Sequence, residues 1–226
     1  MRHLKMFSHA VVMVLVLMAV VGTSESSAIK LNESVNCMVQ ELASNHCPVG
    51  KAWLNPIPRP RLKAGTVVKF ASTLFTVECA SSEIALKVEK NLENSIHGSI
   101  SEVTFAMCGE KCKAVKATNL PWLASITPTT AGNGSLLASK ATGSAGPPAG
   151  LIECTFPIVG TLHCVYTSED LTGVTITGGK PAIVKVETEL KKVAGESSAF
   201  CPATATWKAE YETPEGLWVA LFLDLE

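Results

Sequence analysis

Aspartate and histidine are scarce in this chain, and catalysis is the first function their scarcity weighs against. Beyond residue 28 the only aspartates are Asp170 and Asp224, and the only histidines are His46, His97 and His163. A nucleophile with its base and orienting acid has little to be assembled from. Charge is thin as well: Asp, Glu, Lys and Arg make up 17% of residues, and no run of Lys or Arg forms the basic patch that nucleic-acid phosphates demand. Gly143-Ser144-Ala145-Gly146 lacks the Gly-x-Ser-x-Gly spacing of a nucleophile elbow. Gly178-Gly179-Lys180-Pro181 leads into a strand rather than a helix, so it is a hairpin turn and not a phosphate loop. No cofactor motif is present, and a helical apolar stripe of period 3.6 is missing throughout.

Long apolar runs are also wanting, with one exception. Ala10 to Val21 carries no charge and follows Arg2 and Lys5, the arrangement of a secretory signal. As a helix it rises only about 18 Å against a hydrocarbon core of roughly 30 Å, too short to anchor the chain. Ser26-x-Ala28 then meets the small-x-small requirement of signal peptidase, which puts cleavage between Ala28 and Ile29 and makes residues 1–28 the signal peptide. Its removal takes away Arg2, Lys5 and Glu25, leaving 17 basic and 19 acidic side chains. The remaining chain of roughly 200 residues is long enough to bury a sizeable core. After removal of the signal, neither a membrane nor a nucleic acid is expected as a partner.

All of the 8 cysteines follow the signal. An even number in an exported chain implies a disulfide framework. Cys108-x3-Cys112 is the sole pair with zinc-like spacing and no second pair completes a tetrad, so no metal is expected. Proximity along the chain ranks the bridges. Cys108 and Cys112 flank a short glycine-containing loop between apolar runs, and Cys154 and Cys164 flank a longer turn with Pro157 and Gly160. In hairpins such flanking residues lie opposite each other. Cys37 with Cys47 is the local pair of the N-terminal segment, which leaves Cys79 with Cys201 as a long-range tie.

Residues 29–64 read as a Cys/Pro-rich N-terminal extension, since Asn55-Pro56-Ile57-Pro58-Arg59-Pro60 can neither continue a helix nor sit in a central strand. From residue 65 to 226, short β-branched and aromatic runs alternate with Gly, Pro, Ser and Asn. They mark strands at 67–70, 74–79, 84–88, 103–107, 113–117, 151–156, 162–166, 174–176, 183–186, 203–211 and 217–225. The expected fold is all-β, an antiparallel sandwich or barrel, with two packed β units as one form of it. Residues 127–150, rich in Thr, Gly, Ser, Ala and Pro, read as a loop around one short strand near Leu136 and Leu137, and as the place for an internal boundary. Ser81-Ser82-Glu83-Ile84 and Ser168-Glu169-Asp170-Leu171 each follow a cysteine-bearing strand, a faint internal repeat.

Three stretches carry a family resemblance. Asn119-Leu120-Pro121-Trp122 after the Cys108–Cys112 segment, Cys164-Val165-Tyr166 followed by Leu171-Thr172-Gly173-Val174, and Cys201-Pro202 leading to Trp207-Lys208-Ala209-Glu210-Tyr211 together resemble a set of uncharacterised secreted proteins of soil-type actinobacteria. The resemblance spans about residues 65–220. It implies a signal peptide and a β-rich body, and it transfers no catalytic or binding residue.

The functional expectation is a secreted, non-enzymatic recognition or structural module of the extracellular space or cell envelope, with an extracellular protein or a cell-wall glycan as partner and its oligomeric state open. Trp207, in the alternation Ala205, Trp207, Ala209, Tyr211, is expected in the core. Trp122, after a proline, and Trp218, opening the last strand, are the candidates for stacking a ligand. A secreted hydrolase of polysaccharide or ester is the alternative, and it requires Glu, His and Ser to converge in one cleft. A protease-inhibitor-like antagonist would instead present a rigid exposed loop, from 127–150 or 55–63.

Overall fold

The computed structural model describes residues 31–37, 55–56, 59–92, 95–130, 133–179, 181–213 and 220–225. Within them run β1 (Leu31–Cys37), β2 (Asn55–Pro56), β3 (Arg61–Leu62), β4 (Val68–Ala71), β5 (Thr76–Cys79), β6 (Ser81–Leu92), β7 (Ser95–Ala106) and β8 (Cys112–Thr118). They are followed by β9 (Trp122–Thr130), β10 (Asn133–Lys140), β11 (Ala149–Phe156), β12 (Gly160–Thr167), β13 (Asp170–Thr177), β14 (Ile183–Lys192), β15 (Thr204–Glu212) and β16 (Ala220–Leu225). The signal segment 1–28 and its Ala28–Ile29 cleavage point, the Cys37–Cys47 pair and Trp218 lie outside the described residues.

The fold is all-β. A closed antiparallel barrel of 8 strands runs in the order β6-β7-β9-β10-β13-β14-β15-β3, and β3 returns to β6 through Arg61 opposite Glu83. Closure leaves no free edge in the ring. β3 belongs to the stretch read as an N-terminal extension, yet it is the strand that shuts the barrel. Around it Arg59 pairs with Glu83 and Glu102 at 3.3 and 2.8 Å and Arg61 with Glu83 at 3.2 Å, exposed contacts that contribute little to stability.

β14 and β15 pair along their whole lengths, from Ile183 opposite Glu212 to Lys191 opposite Thr204, and extend past the ring. Beyond it β15 pairs with β4, and β14 with β12, so a second sheet forms in the order β5-β4-β15-β14-β12-β11-β8. The chain thus passes repeatedly between ring and outer sheet. The two Ser-rich segments of the faint repeat sit at such crossings, where β6 and β13 enter the ring after the outer strands β5 and β12.

The strands form where apolar residues alternate. Along β15, Ala205, Trp207, Ala209 and Tyr211 are buried while Thr204 and Lys208 face out. The outward side of β14 and β15 is charged, with Glu187 bound by Lys208 at 2.6 Å and by Lys185 at 3.6 Å. The hydrogen bond and charge of Lys208 hold the Glu187 carboxyl below its ordinary range.

Residues 127–150 differ from the expectation of a loop. β9 and β10 form a full antiparallel pair within the ring, from Pro128 opposite Gly134 to Trp122 opposite Lys140. Trp122, Ala124, Ile126 and Pro128 alternate inward, a period-2 signal hidden by the exposed Leu123 and by Ser125 and Thr127 between them. The first half of β7 was hidden in the same way by His97-Gly98-Ser99. Gly98 is required there because a Cβ would overlap the backbone carbonyl oxygen of Lys87, beside the register shift between Val88 and Lys90.

The disulfides correct the expected pairings. They join Cys79 to Cys108, Cys112 to Cys154 and Cys164 to Cys201, in place of Cys108–Cys112, Cys154–Cys164 and Cys79–Cys201. β7 and β8 do not form a hairpin. Met107 and Gly109 take φ of 55° and 87° and turn the chain out of the ring, so Cys108 stays beside β5 while Cys112 begins an outer strand opposite Cys154 on β11. β11 and β12 do form a hairpin, but its turn is tight: Phe156 faces Gly160, so Leu162 and not Cys164 stands opposite Cys154. Each of these two cysteines then bonds to a different neighbour. Among the described residues, three disulfides indicate an oxidising environment, and no helix is long and apolar enough to cross a membrane.

A candidate recognition cleft over strands 11 and 12

The outer sheet turns one face to the core and leaves the other face of β11 and β12 open. On that open face Leu151, Val165 and Thr167 floor a cleft of about 700 Å3, within the roughly 300–1,000 Å3 common for ligand sites. Two loops wall it.

The first wall is residues 145–147. Asn119, in the left-handed conformation at φ 60°, donates from Nδ2 to the Pro147 carbonyl at 2.9 Å, a conformation asparagine tolerates better than most residues. The Ser144 hydroxyl lies 2.9 Å from the Ala141 carbonyl and 3.1 Å from that of Gly146, closing the loop on itself. Thr167 Oγ1 and the Ser168 amide both donate to the Pro148 carbonyl, at 2.9 and 3.1 Å.

Residues 193–198 form the second wall by zipping onto the edge of β12. Val193 N–H donates to the Val165 carbonyl and Ser198 N–H to the His163 carbonyl, each at 2.8 Å. Ser197 Oγ both accepts from Val165 N–H at 2.9 Å and donates to its carbonyl at 3.0 Å. The Cys164–Cys201 bridge fastens the end of this segment. Edge groups of β12 that would otherwise be unpaired are satisfied, and the wall is pre-formed.

Ionisable groups lining the cleft are His163 and Glu196; Glu153 lies beside His163, and the exposed Lys116 and Lys191 stand cross-strand from Leu151 and Thr167. His163 Nδ1 lies 3.4 Å from Glu153 Oε2, with 49% and 29% of the two side chains exposed. A contact this wet contributes little to stability. The Ser198 hydroxyl, although close in the chain fold, accepts from the His163 main-chain N–H at 3.1 Å and is not bonded to the imidazole. At His163 the contact between nucleophile and base that a serine hydrolase requires is therefore not made. His97, on β7, instead bonds Ser95 through Nε2 at 2.8 Å. Among the described residues no group of three or more His, Cys, Asp or Glu could hold a metal ion.

Trp122 does not offer a stacking face. It is 3% exposed and turned into the ring, with Nε1 donating to the Thr118 carbonyl at 2.9 Å. Alternation along β9 gives it the inward position. Trp207 is in the core as expected, 5% exposed, edge-on to Phe105 and stacked on Phe70 at centroid distances of 5.8 and 6.0 Å. Both described tyrosines are fully buried. Tyr211 bonds Ser82 at 2.9 Å, whereas the Tyr166 hydroxyl has no partner. Burial pushes Tyr166 up to about 12 from an ordinary value near 10, and raises Tyr211 further. Outside both 127–150 and 55–63, the β11–β12 turn carries Ile158 at 97% exposure.

Asn119, Glu196 and Ser197 were not legible as site residues. Their common signal is a polar loop that ends near a cysteine or a strand terminus, which ordinary surface loops share. Comparison with known proteins finds no matching family model, no similar curated protein and no similar solved structure. The class defined by the fold is an antiparallel β-barrel protein cross-linked by disulfides and suited to an oxidising compartment.

Proposed function

We propose that this protein is a secreted, non-enzymatic recognition module that takes a segment of cell-wall glycan into the cleft over β11 and β12. The cleft carries the reading: a concavity of about 700 Å3 lined by the polar Thr118, Asn119, His163 and Glu196 together with the apolar Pro147, Leu151 and Val165. Hydroxyls of a sugar find donors and acceptors there, and its C–H faces find apolar floor. Both walls are held by hydrogen bonds and a disulfide, so little ordering cost accompanies binding. Export by way of residues 1–28 is part of the reading, supported by the disulfides.

The test is retention of the oxidised chain lacking residues 1–28 on insoluble cell-wall polysaccharide, with actinobacterial walls as the first source, and on extracellular protein. Retention on polysaccharide is expected, competed by soluble wall fragments and lost in Leu151→Arg, which fills the floor. Retention on neither fraction, or binding indifferent to Leu151→Arg, would sink the proposal. Capture by protein alone would replace the glycan with a protein partner.

A hydrolytic reading is favoured by one observation, the proximity of His163 and Glu153 beside the same cleft. It requires release of sugar or ester products from wall material, abolished by Glu153→Gln while retention persists. Absence of product at any pH leaves recognition alone.

A further inference from the structure

Among the described residues, two strand edges face each other without a ladder between them. β8 ends the order of the outer sheet and pairs with β11 alone, while β7 pairs with β9 only as far as Ile100 opposite Trp122. From Glu102 to Phe105, β7 is bonded to β6 on one side and on the other faces Lys113 to Ala117 of β8 across a groove of about 410 Å3. Leu120, where the chain crosses from β8 back to β9, also lines it. The groove lies along the edge of β8 away from β11, and so is separate from the cleft over β11 and β12.

Main-chain groups of β7 point into this groove. Ile84 N–H donates to the Pro60 carbonyl at 3.0 Å, on the β3 side of β6. Residues directly opposite in an antiparallel pair turn their main-chain groups either toward each other or both away. Val103, opposite Ile84, therefore turns its N–H and C=O away from β6, and so does Phe105, opposite Ser82 in the same unbroken register. Groups arranged in this way are a template for another strand. On the inner side Val103, Phe105, Val115 and Ala117 make the groove apolar. On the outer side Arg59 holds Glu102 at 2.8 Å, whereas among the described residues the exposed Lys113 and Lys116 have no carboxylate partner.

We propose that the groove between β7 and β8 takes an extended acidic peptide of a protein partner, which adds to the β7 edge as a strand bonded to Val103 and Phe105 and sets its carboxylates beside Lys113 and Lys116. Strand addition draws affinity from main-chain hydrogen bonds and specificity from alternate side chains. The edge from Glu102 to Phe105 is about 14 Å long, enough for a short extended segment. Peptide residues opposite Val103 and Phe105 point inward with them and are apolar; those between point outward, where the lysines stand. A second copy of this chain is the poorer occupant, since pairing β8 with β8 sets lysine against lysine. The proposal does not depend on what the cleft over β11 and β12 binds.

End-capped pentapeptides of alternating glutamate and valine, or of lysine and valine, serve as paired probes, with a third in which the valine nitrogens of the acidic peptide are methylated. Binding to the oxidised protein is read by titration calorimetry at low salt, and its location by amide hydrogen exchange. The acidic peptide is expected to bind at least about tenfold more tightly than the basic one, a gap that narrows as salt rises. It should slow exchange at Val103 and Phe105 and lose its affinity on valine N-methylation, which removes the donors that face β7. Lys113→Glu combined with Lys116→Glu, both at exposed positions, should reverse the preference between the acidic and basic peptides. No binding of the acidic peptide, an affinity no higher than that of the basic one, indifference to N-methylation, or protection confined to the β11–β12 cleft would each overturn the proposal. The wild-type comparisons stand even if the double variant fails to fold.

Discussion

Removing one hydroxyl should have opposite effects at the two buried tyrosines. Tyr166 and Tyr211 are both wholly inaccessible to solvent, so the ring contribution is nearly matched and the hydroxyl decides. Ser82 gives its only hydroxyl proton to the Thr104 carbonyl at 2.6 Å, so the 2.9 Å contact with Tyr211 has the tyrosine donating to Ser82 Oγ. Tyr211→Phe loses one net hydrogen bond, about 1 kcal/mol of stability. Tyr166→Phe removes a buried hydroxyl with no partner and relieves its desolvation, a gain of about 1 kcal/mol. In a chain of this size each kcal/mol moves the melting temperature by about 2–4 °C. Thermal and urea unfolding of the oxidised proteins should therefore place Tyr211→Phe below and Tyr166→Phe above the wild type. Equal destabilisation of both would refute the reasoning, since it would mean that the hydroxyls contribute alike or not at all.

Burial raises both phenols, so the protonated native form is favoured: their stabilisation is full below pH 10 and is lost as pH rises from 10 toward 12. A urea midpoint flat between pH 8 and 9 and falling above 10 is expected, with a shallower fall in Tyr166→Phe. Removing the Cys112–Cys154 bridge, whose partners are 42 residues apart, by a double alanine substitution should cost about 4 kcal/mol in the loop-entropy model, read from urea unfolding. Gly98→Ala drives a methyl group into the Lys87 carbonyl and should cost about 3 kcal/mol or prevent folding, by the same measurement. Ile158→Asp, at an exposed turn, should change stability by no more than about 0.5 kcal/mol.

Much of the fold was legible because alternation survives in most strands. Ala205, Trp207, Ala209 and Tyr211 announce an inward row without any knowledge of the neighbours. The sandwich-or-barrel alternative could not be resolved in that way, because closure depends on two residues, Arg61 and Leu62, in a segment whose prolines argue against strand. β9 and β10 were concealed by composition: serine, threonine, glycine and proline mark turns, yet here Ser125, Thr127, Ser135 and Ser139 take the outward positions of a ring whose inward positions are filled by Trp122, Ile126, Pro128, Gly134 and Leu136. The disulfides failed for a topological reason. Proximity along the chain predicts pairing only when adjacent strands pair, and here β7 and β8 part into different sheets. The cleft was least legible, because its walls, 145–147 and 193–198, are brought to β12 by hydrogen bonds to main-chain groups that any residue supplies.

The claim that matters most for function is that the partner occupies the cleft over β11 and β12. Hydrogen exchange of the protein, free and bound to cell-wall polysaccharide, tests it directly. The expected result is slowed exchange confined to amides at 145–151, 163–167 and 193–197, with the β14–β15 face unchanged. Protection elsewhere, with these segments unaltered in a demonstrably bound sample, would contradict it.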